Sequence, residues 1–238
     1  MSDSRINNIL IPLRVIYNDA CAEHRWMLPN PFEYLRNAKV LKKPGNAAPE
    51  GLRFEQYEKI IACIQPYYVD HTNMMFQTGL IGSELAGLKE SHIRDNEIMI
   101  RNSIVRNNEK TDLKTVFRKR EIPITEALRK ILDRAIARAN GGYLFTMKSG
   151  RTFDVDSYRK NVWTPALKEA GVPYARPYVI RHTYAGWALV VGIDKNKLVS
   201  LMGHGSKKMV FEVYGKYVKY IEKDRDKILE FFGSDFLG

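Results

Sequence analysis

Apolar residues recur at helical spacing through most of this chain, and that spacing limits its fold more than any other feature. The segments with this spacing include 5–25, 52–64, 125–139 and 219–232. Only segment 97–124 shows the alternation typical of strands, with Ile98 and Ile100 separated by a single residue. The stretch 121–124 would close that strand unit. The sequence therefore predicts a mainly α fold with a small antiparallel β-sheet, an α+β protein.

Capping residues and helix breakers give the expected boundaries of these elements. The residues predicted to cap helices are Ser4, Ser83, Thr125, Asp194 and Ser206. Gly203 should stop the helix that ends at Met202, and Pro165 should distort the helix 158–170. Residues 143–146 are expected to form a short strand or an extended segment.

The first helix is expected to end before Leu28, and residues 38–51 have the composition of a linker. A single helix cannot bury its own apolar stripe. It must pack on the following domain, on another chain, or on a domain outside this sequence. Near the other end, Phe231 and Phe232 are expected to pack either on a neighbouring protomer or on their own domain.

The charge of the chain favours a polyanionic partner. Lys and Arg total 38 against 27 Asp and Glu, which gives a formal charge of +11. Nucleic acid is the first candidate and an anionic membrane surface is the second. Alternatively, the charge only keeps the protein soluble. There is no signal-peptide pattern and no apolar run of about 20 residues. The expectation is a soluble intracellular protein without a membrane span.

The cysteines, Cys21 and Cys63, lie far apart in apolar helical patterns, so reduced thiols are expected. No spacing of Cys and His resembles a metal site. The sequence predicts no metal and no cofactor.

Four motifs carry the chemistry, and they occur in one order along the chain. They are Thr78-Gly-Leu-x-x-Ser-Glu84-Leu, Lys114-Thr followed by Arg118-Lys-Arg-Glu-Ile-Pro123, Tyr178-x-x-Arg181-His182, and Leu201-Met-Gly-His204 with Tyr214. Together they resemble the catalytic domain of the tyrosine recombinases, the integrase family of temperate phages. The resemblance covers about residues 52–238.

That resemblance implies a DNA breaking-rejoining catalytic fold over 46–238. Residues 1–45 would be the terminal helix of a core-binding domain plus a linker. The implied partner is double-stranded DNA at recombination sites, with a tetramer on DNA and a monomer otherwise. The implied location is the cytoplasm of a bacterium, with the protein phage-derived and associated with the nucleoid.

The resemblance also implies residue roles. Tyr214 would attack the phosphorus, with Tyr217 and Tyr220 as rival nucleophiles. Arg181 would clamp the phosphate, and Lys114 would give a proton to the leaving 5′ oxygen.

Three further residues would support that chemistry. His204 would donate a hydrogen bond to a non-bridging oxygen, and Tyr178 would offer a hydroxyl. Glu84 would orient the cations of the site or form a salt bridge there; the two interpretations overlap. His182 is expected to pack beside the site.

One position departs from the family pattern. The residue after Gly79-Leu80 is a catalytic arginine in the family, and here it is Ile81. Natural decay, deliberate inactivation and a tolerated variant are all consistent with this change. Ile81 contributes no charge, so weakened or absent cleavage is expected with DNA binding largely kept.

Contacts to the DNA backbone are expected from surface cations. The residues assigned to them are Lys110, Arg118, Lys119, Arg120, Lys207 and Lys208. Two alternative functions remain open at this point: a catalytically silent DNA-binding remnant, and a type IB topoisomerase-like nicking-closing enzyme. A metal nuclease is disfavoured because the expected site is rich in cations.

Overall fold

The fold is mainly α with a small antiparallel β-sheet, as the sequence predicts. A computed structural model describes residues 3–32, 51–105, 108–110, 119–139, 142–203 and 220–237. The chain divides into two compact units, Met1–Ala48 and Pro49–Gly238.

The first unit contains helix α1, Asp3–Glu23. The helix ends before Leu28, as predicted. Ser4 lies inside it rather than before it, so the predicted cap is wrong. The hydroxyl of Tyr17 donates to the Pro29 carbonyl at 3.0 Å and folds the following segment back along the helix. Ile9 and Ile16 on the predicted apolar stripe are exposed.

The second unit contains the other described helices and all the described strands. Its α-helices are α2 (Phe54–Cys63), α3 (Pro66–Thr78), α4 (Gly82–Ala86), α5 (Glu126–Arg138), α6 (Val155–Tyr158), α7 (Thr164–Glu169), α8 (Val179–Val191), α9 (Lys195–Met202) and α10 (Arg225–Phe232). Its strands are β1 (Ile93–Arg94), β2 (Glu97–Ile100), β3 (Ser103–Val105), β4 (Asn108–Lys110) and β5 (Arg120–Pro123). Short 3₁₀ turns occupy Glu90–His92, Glu222–Asp224 and Ser234–Leu237.

The core is built around α8, which is apolar on nearly all sides. Trp187 at its centre is fully buried and touches the rings of Phe54, Phe76 and Phe231. Its indole N–H donates to the Leu52 carbonyl at 2.9 Å, which satisfies the polar atom of a buried ring. Because Arg181 lies near the start of α8, this packing fixes the position of that arginine.

The sheet joins β2 to β5 in antiparallel register, with Ile98 opposite Ile122 and Ile100 opposite Arg120. Strand β1 adds to the other edge of β2. The separate β3–β4 hairpin lies between β2 and β5, within the segment 97–124 that was predicted to form strands. Residues 143–146 form isolated bridges rather than a strand, so the extended alternative is the correct one.

Several predicted boundaries are confirmed. Thr125 accepts from the Leu128 amide at 3.2 Å, and Asp194 accepts from the Asn196 amide at 2.9 Å. The expected irregularity near Pro165 is a π-helical turn over Arg159–Trp163. Proline has no N–H to continue the α-helical bonding, so the helix is rearranged there.

The predicted cap at Ser83 is wrong. Helix α4 begins at Gly82, and Ile81 occupies the cap position in an extended conformation. The carboxylate of Glu84, the third residue of the helix, accepts from the Ile81 amide at 3.2 Å, which is the bond that the third residue makes in a capping box.

The described part of the last predicted helix, residues 220–232, is helical, with a 3₁₀ turn at Glu222–Asp224 before α10 begins at Arg225. Phe232 is fully buried, and Phe231 packs edge-on against Tyr57. These two rings therefore pack on their own domain. A bidentate ion pair between Arg53 and Asp224, at 2.7 and 2.8 Å, connects the start of α10 to the start of α2.

His71 makes the stability of this domain sensitive to acid. It lies on α3 between aromatic rings, 2% exposed, with Nε2 at 2.8 Å from the Thr146 carbonyl oxygen. Burial lowers the pKa of His71 to about 4. The stability gained from keeping His71 neutral and buried is complete above the ordinary pKa of about 6.5. It is lost as the pH falls toward 4, because the unfolded chain binds the proton at a higher pH than the folded chain does.

We expect the free energy of unfolding to fall by about 3 kcal/mol on account of His71 between pH 7 and pH 4. Urea unfolding of H71F across that range should show a correspondingly shallower pH dependence, with His24→Gln, an exposed histidine, as the control. Burial also lowers the pKa of His182 to about 4, so part of the dependence should remain in H71F. If the free energy of unfolding of H71F depends on pH as steeply as that of the parent, His71 is not the source of the acid sensitivity.

Candidate active site

A buried cluster of three charged residues joins separate parts of the second unit. Glu84 receives two hydrogen bonds from the guanidinium of Arg120, both at 3.0 Å. Its Oε2 also lies 3.9 Å from Nη1 of Arg181. All three residues are buried, with exposures of 3% for Glu84, 7% for Arg120 and 6% for Arg181. One carboxylate thus lies between two guanidinium groups, which leaves a net positive charge in the cluster.

The two arginines keep the Glu84 carboxylate ionised. Burial raises its pKa, but the hydrogen bonds and charge of Arg120 and the charge of Arg181 outweigh this effect. The net result is a pKa of Glu84 below its ordinary value. Glu84 therefore remains an anion that orients both cations.

The same arginines bind backbone carbonyls at helix ends. Arg181 donates to the Gly79 carbonyl at 2.8 Å and also to the Met202 carbonyl. Arg120 donates to the Leu201 carbonyl at 2.6 Å. The last turn of α9 is therefore held by both guanidinium groups, one residue before Gly203 ends the helix with φ of 62°.

Gly79 shapes the turn that brings Ile81 beside Arg181. Its φ is 66°, in the left-handed region, and a Cβ there would lie 2.4 Å from Cδ1 of Tyr184. Both the backbone conformation and the close ring require glycine. The preceding Thr78 accepts from the Leu80 amide at 3.3 Å and tightens the same turn.

A cavity of about 520 Å³ opens at this turn and at the start of α8. Its polar lining includes Arg159, Arg176, Tyr178 and Arg181, and Ile81 is part of the apolar lining. The remaining lining residues are Met75, Leu80, Gly82, Ser83, Val105, Val155, Asp156 and Pro177. The structure thus brings three predicted positions, Ile81, Tyr178 and Arg181, to one cavity with an excess of cations.

Tyr178 and His182 lie together at the start of α8. Their rings meet edge to face with centroids 4.9 Å apart. The Tyr178 side chain is largely exposed, which leaves its hydroxyl accessible to a ligand in the cavity. Burial, with the charge of Arg181 as a second cause, lowers the pKa of His182 to about 4. His182 is therefore neutral near pH 7, and it packs beside the site as predicted.

Arg120 requires a correction. It was assigned to the surface cations that contact DNA phosphates, but its side chain is only 4% exposed and is bound to Glu84. Lys110 and Lys119 are exposed, as a contact to DNA would require. The other residues of this prediction, Arg118, Lys207 and Lys208, lie outside the described residues, as do Lys114, His204, Ser206, Tyr214 and Tyr217.

A local signal could have identified the true place of Arg120. It is two residues before Ile122 in β5, so the two side chains share one face of the strand. Ile122 is buried, which puts Arg120 on the inward face as well. Arg159 and Arg176 belong to no recognised motif, and no local sequence signal distinguishes them from other surface cations.

Both cysteines are free thiols, as predicted. Among the residues with a description, no three His, Cys, Asp or Glu side chains group as they would around a metal ion. Within those same ranges, every helix is too short or too polar to cross a bilayer.

Solved structures with this fold include integrases in complex with DNA. The integrase of transposon Tn1549, in complex with a circular intermediate DNA, superposes with a TM-score of 0.77 and 22% identity, over 94% of this chain and 80% of that one. A lambda integrase dimer bound to a COC′ core site gives a TM-score of 0.62 and 16% identity, over 87% of this chain and 70% of that one. At these identities the likeness concerns the fold.

Relatives by sequence include proteins of Escherichia coli K12. "Putative defective protein IntQ" is 44% identical over 69 residues, which is 29% of this chain and 17% of the relative. Prophage integrase IntR is 41% identical over 56 residues, 24% of this chain and 14% of the relative. The match to tyrosine recombinase XerC of Neisseria meningitidis has 26% identity over 143 residues, 58% of this chain and 44% of the relative. The matched segments thus span less than half of each relative.

The sequence model of the phage integrase family matches residues 50–219, from just before α2 to a point just before α10. That range contains the turn at Gly79, the Glu84 cluster and the cavity at the start of α8. The chain belongs to the phage integrase family.

Proposed function

We propose that this chain is the catalytic part of a site-specific DNA recombinase, which cleaves and rejoins DNA through a 3′-phosphotyrosine intermediate. The observation that carries this proposal is the cavity where Arg181 and Tyr178 meet, backed by the buried Glu84 carboxylate. A planar guanidinium held by fixed partners suits a phosphate oxygen better than a mobile lysine does. Because Arg181 is already oriented, little rearrangement is needed when charge develops on the phosphate.

In the proposed reaction, the Tyr214 oxygen attacks the phosphorus and the bond to the 5′ oxygen breaks. Tyr214 loses its proton to solvent in this step, and Lys114 gives a proton to the departing 5′ oxygen. Arg181, His204 and Tyr178 donate hydrogen bonds to the other phosphate oxygens. The phosphotyrosine bond keeps the energy of the broken bond, so a second 5′-hydroxyl can attack it and release Tyr214.

The Glu84 cluster supports this chemistry by positioning groups that would contact the phosphate. Arg181 and Arg120 hold the carbonyls of Met202 and Leu201, and His204 follows two residues after Met202. The cluster would therefore place the phosphate clamp and the start of the His204 segment relative to each other. We propose that Glu84 acts by positioning these groups.

The proposed partner is double-stranded DNA, with a tetramer on DNA and a monomer otherwise. A lambda integrase tetramer bound to a Holliday junction, with a TM-score of 0.60 to this chain, supports the first half of this proposal by analogy. Residues 1–45 would be the end of a core-binding domain with its linker, and 46–238 the catalytic domain. The proposed location is the bacterial cytoplasm, at the nucleoid.

A silent DNA-binding remnant is the second candidate, and one observation favours it. Ile81 lines the same cavity as Arg181 and contributes neither charge nor hydrogen bond from its side chain. One sequence relative also carries a name that marks it as defective. The recombinase and the remnant both predict DNA binding, and they differ in whether restoring a charge at position 81 restores cleavage.

DNA binding and product analysis test the proposal. Binding to a short duplex should weaken about a thousandfold between about 50 and 200 mM salt, as expected for about six phosphate contacts. Incubation with supercoiled plasmid should leave the supercoils intact, and EDTA should have no effect on any covalent product. Salt-independent or absent binding would contradict the DNA proposal. Relaxation without a specific site would indicate a topoisomerase-like enzyme, and cleavage lost in EDTA a metal nuclease.

A further inference from the structure

Arg176 is a cavity-lining cation to which no function has been given so far. It lies two residues before Tyr178 and faces the cavity that Ile81, Tyr178 and Arg181 also line. Within the described part of the chain, its guanidinium has neither a hydrogen-bond acceptor nor a carboxylate partner. Its backbone is fixed, because its carbonyl accepts from the Val179 amide at 2.9 Å and Pro177 follows directly. An exposed arginine on a fixed backbone is thus available to an anion.

The second additional arginine of the cavity is not available in the same way. Nη2 of Arg159 lies 3.1 Å from Oδ1 of Asp156, which also lines the cavity. Hydrogen bonds to Tyr174 and Asp156 raise the pKa of Arg159. Its charge is therefore largely balanced by a neighbouring carboxylate.

The charges around the cavity indicate what Arg176 would bind. Arg181 is held by backbone carbonyls and lies near Glu84, and Arg159 is balanced by Asp156. The wall at Ile81 is apolar. A phosphate bound in this cavity would receive hydrogen bonds from Arg181 on one side. The negative charge on its remaining oxygens would not be neutralised by Arg181. Arg176 is the lining cation that can approach it without leaving a protein partner.

We propose that Arg176 binds the same DNA phosphate as Arg181 and supplies positive charge that Ile81 does not. This inference rests on the proposed function, since it takes the cavity to be the phosphate site. It adds a phosphate-binding residue outside the four motifs. It also explains how DNA binding at the cavity can persist with an apolar side chain at position 81.

The test is duplex binding by fluorescence anisotropy, with a short fluorescein-labelled DNA of random sequence as the probe. Loss of one phosphate contact lowers the slope of log affinity against log salt by about 0.9, or about eightfold in affinity at about 0.1 M salt. Arg176→Gln should show this loss and R176K a smaller one. Arg159→Gln, which removes an arginine from the same cavity, should stay within about twofold of the parent.

A second substitution distinguishes a shared phosphate from a general effect of charge. Adding I81R to Arg176→Gln should restore the slope and most of the affinity, whereas I81R in the parent should change affinity little. Equal losses in the Arg176 and Arg159 variants, or no loss in either, would overturn the assignment while the parent still binds DNA. Absence of salt-dependent binding by the parent would overturn the proposed function, and this inference with it.

Discussion

Glu84→Gln is expected to lower the free energy of unfolding by about 3–5 kcal/mol, the usual cost of breaking a buried ion pair on one side. The glutamine keeps the size of the side chain but removes the charge between Arg120 and Arg181. Both guanidinium groups would then remain buried beside an amide that offers a single acceptor oxygen. Urea denaturation of the variant and the parent measures the difference.

The control is Glu169→Gln, a change of the same chemistry at an exposed glutamate at the end of α7. It should alter stability by less than about 0.5 kcal/mol. The double variant Glu84→Gln/Arg120→Met should lose less free energy of unfolding than the sum of the losses of the two single variants. The second change removes one of the two buried guanidinium charges that Glu84→Gln leaves without a carboxylate partner. A loss for Glu84→Gln no larger than that of the control would show that the cluster does not stabilise the domain.

Ile81→Arg is expected to raise the rate of covalent adduct formation by about 10²–10³, the effect of restoring one transition-state donor. The backbone of residue 81 is extended and capped by Glu84, so a longer side chain can enter the cavity without disturbing α4. Its guanidinium would face the same ligand as Arg181 and Tyr178. Gel analysis of adducts on short nicked duplexes, labelled at the 5′ end of the cleaved strand, gives the rate.

Two controls separate a phosphate clamp from added charge. Ile81→Gln offers polarity without charge and should gain little. Ser83→Arg adds an arginine to the same cavity wall two residues away, and it should give no comparable gain in adduct. A robust adduct from the chain with Ile81, or an equal gain from the arginine at position 83, would contradict the role given to position 81.

Much of the framework follows from local sequence signals. Thr125 and Asp194 cap helices as expected, and Ile98 and Ile122 face each other across the sheet. Each of these features depends on side chains a few residues apart or on a simple alternation. The left-handed glycine at 203 is a stop signal of the same local kind.

The supporting cluster could not be predicted in the same way. Arg120 lies in a run of cations and looks like part of a solvated turn, yet its partners are Glu84, 36 residues away, and Leu201, 81 residues away. Ser83 is a good capping residue, but it is the second residue of α4, and Ile81 occupies the cap position. Arg176 has no motif at all. For Arg120, contacts distant in sequence decide the role of the residue.

The attachment point of DNA tests the central claim most directly. The adduct of Ile81→Arg on a nicked duplex would be digested with protease and nuclease, and the modified peptide identified by mass spectrometry. The account predicts a nucleotide linked through phosphate to Tyr214, and no adduct when Tyr214→Phe is added. Attachment to Tyr217 or Tyr220, or an adduct that survives Tyr214→Phe, would contradict it.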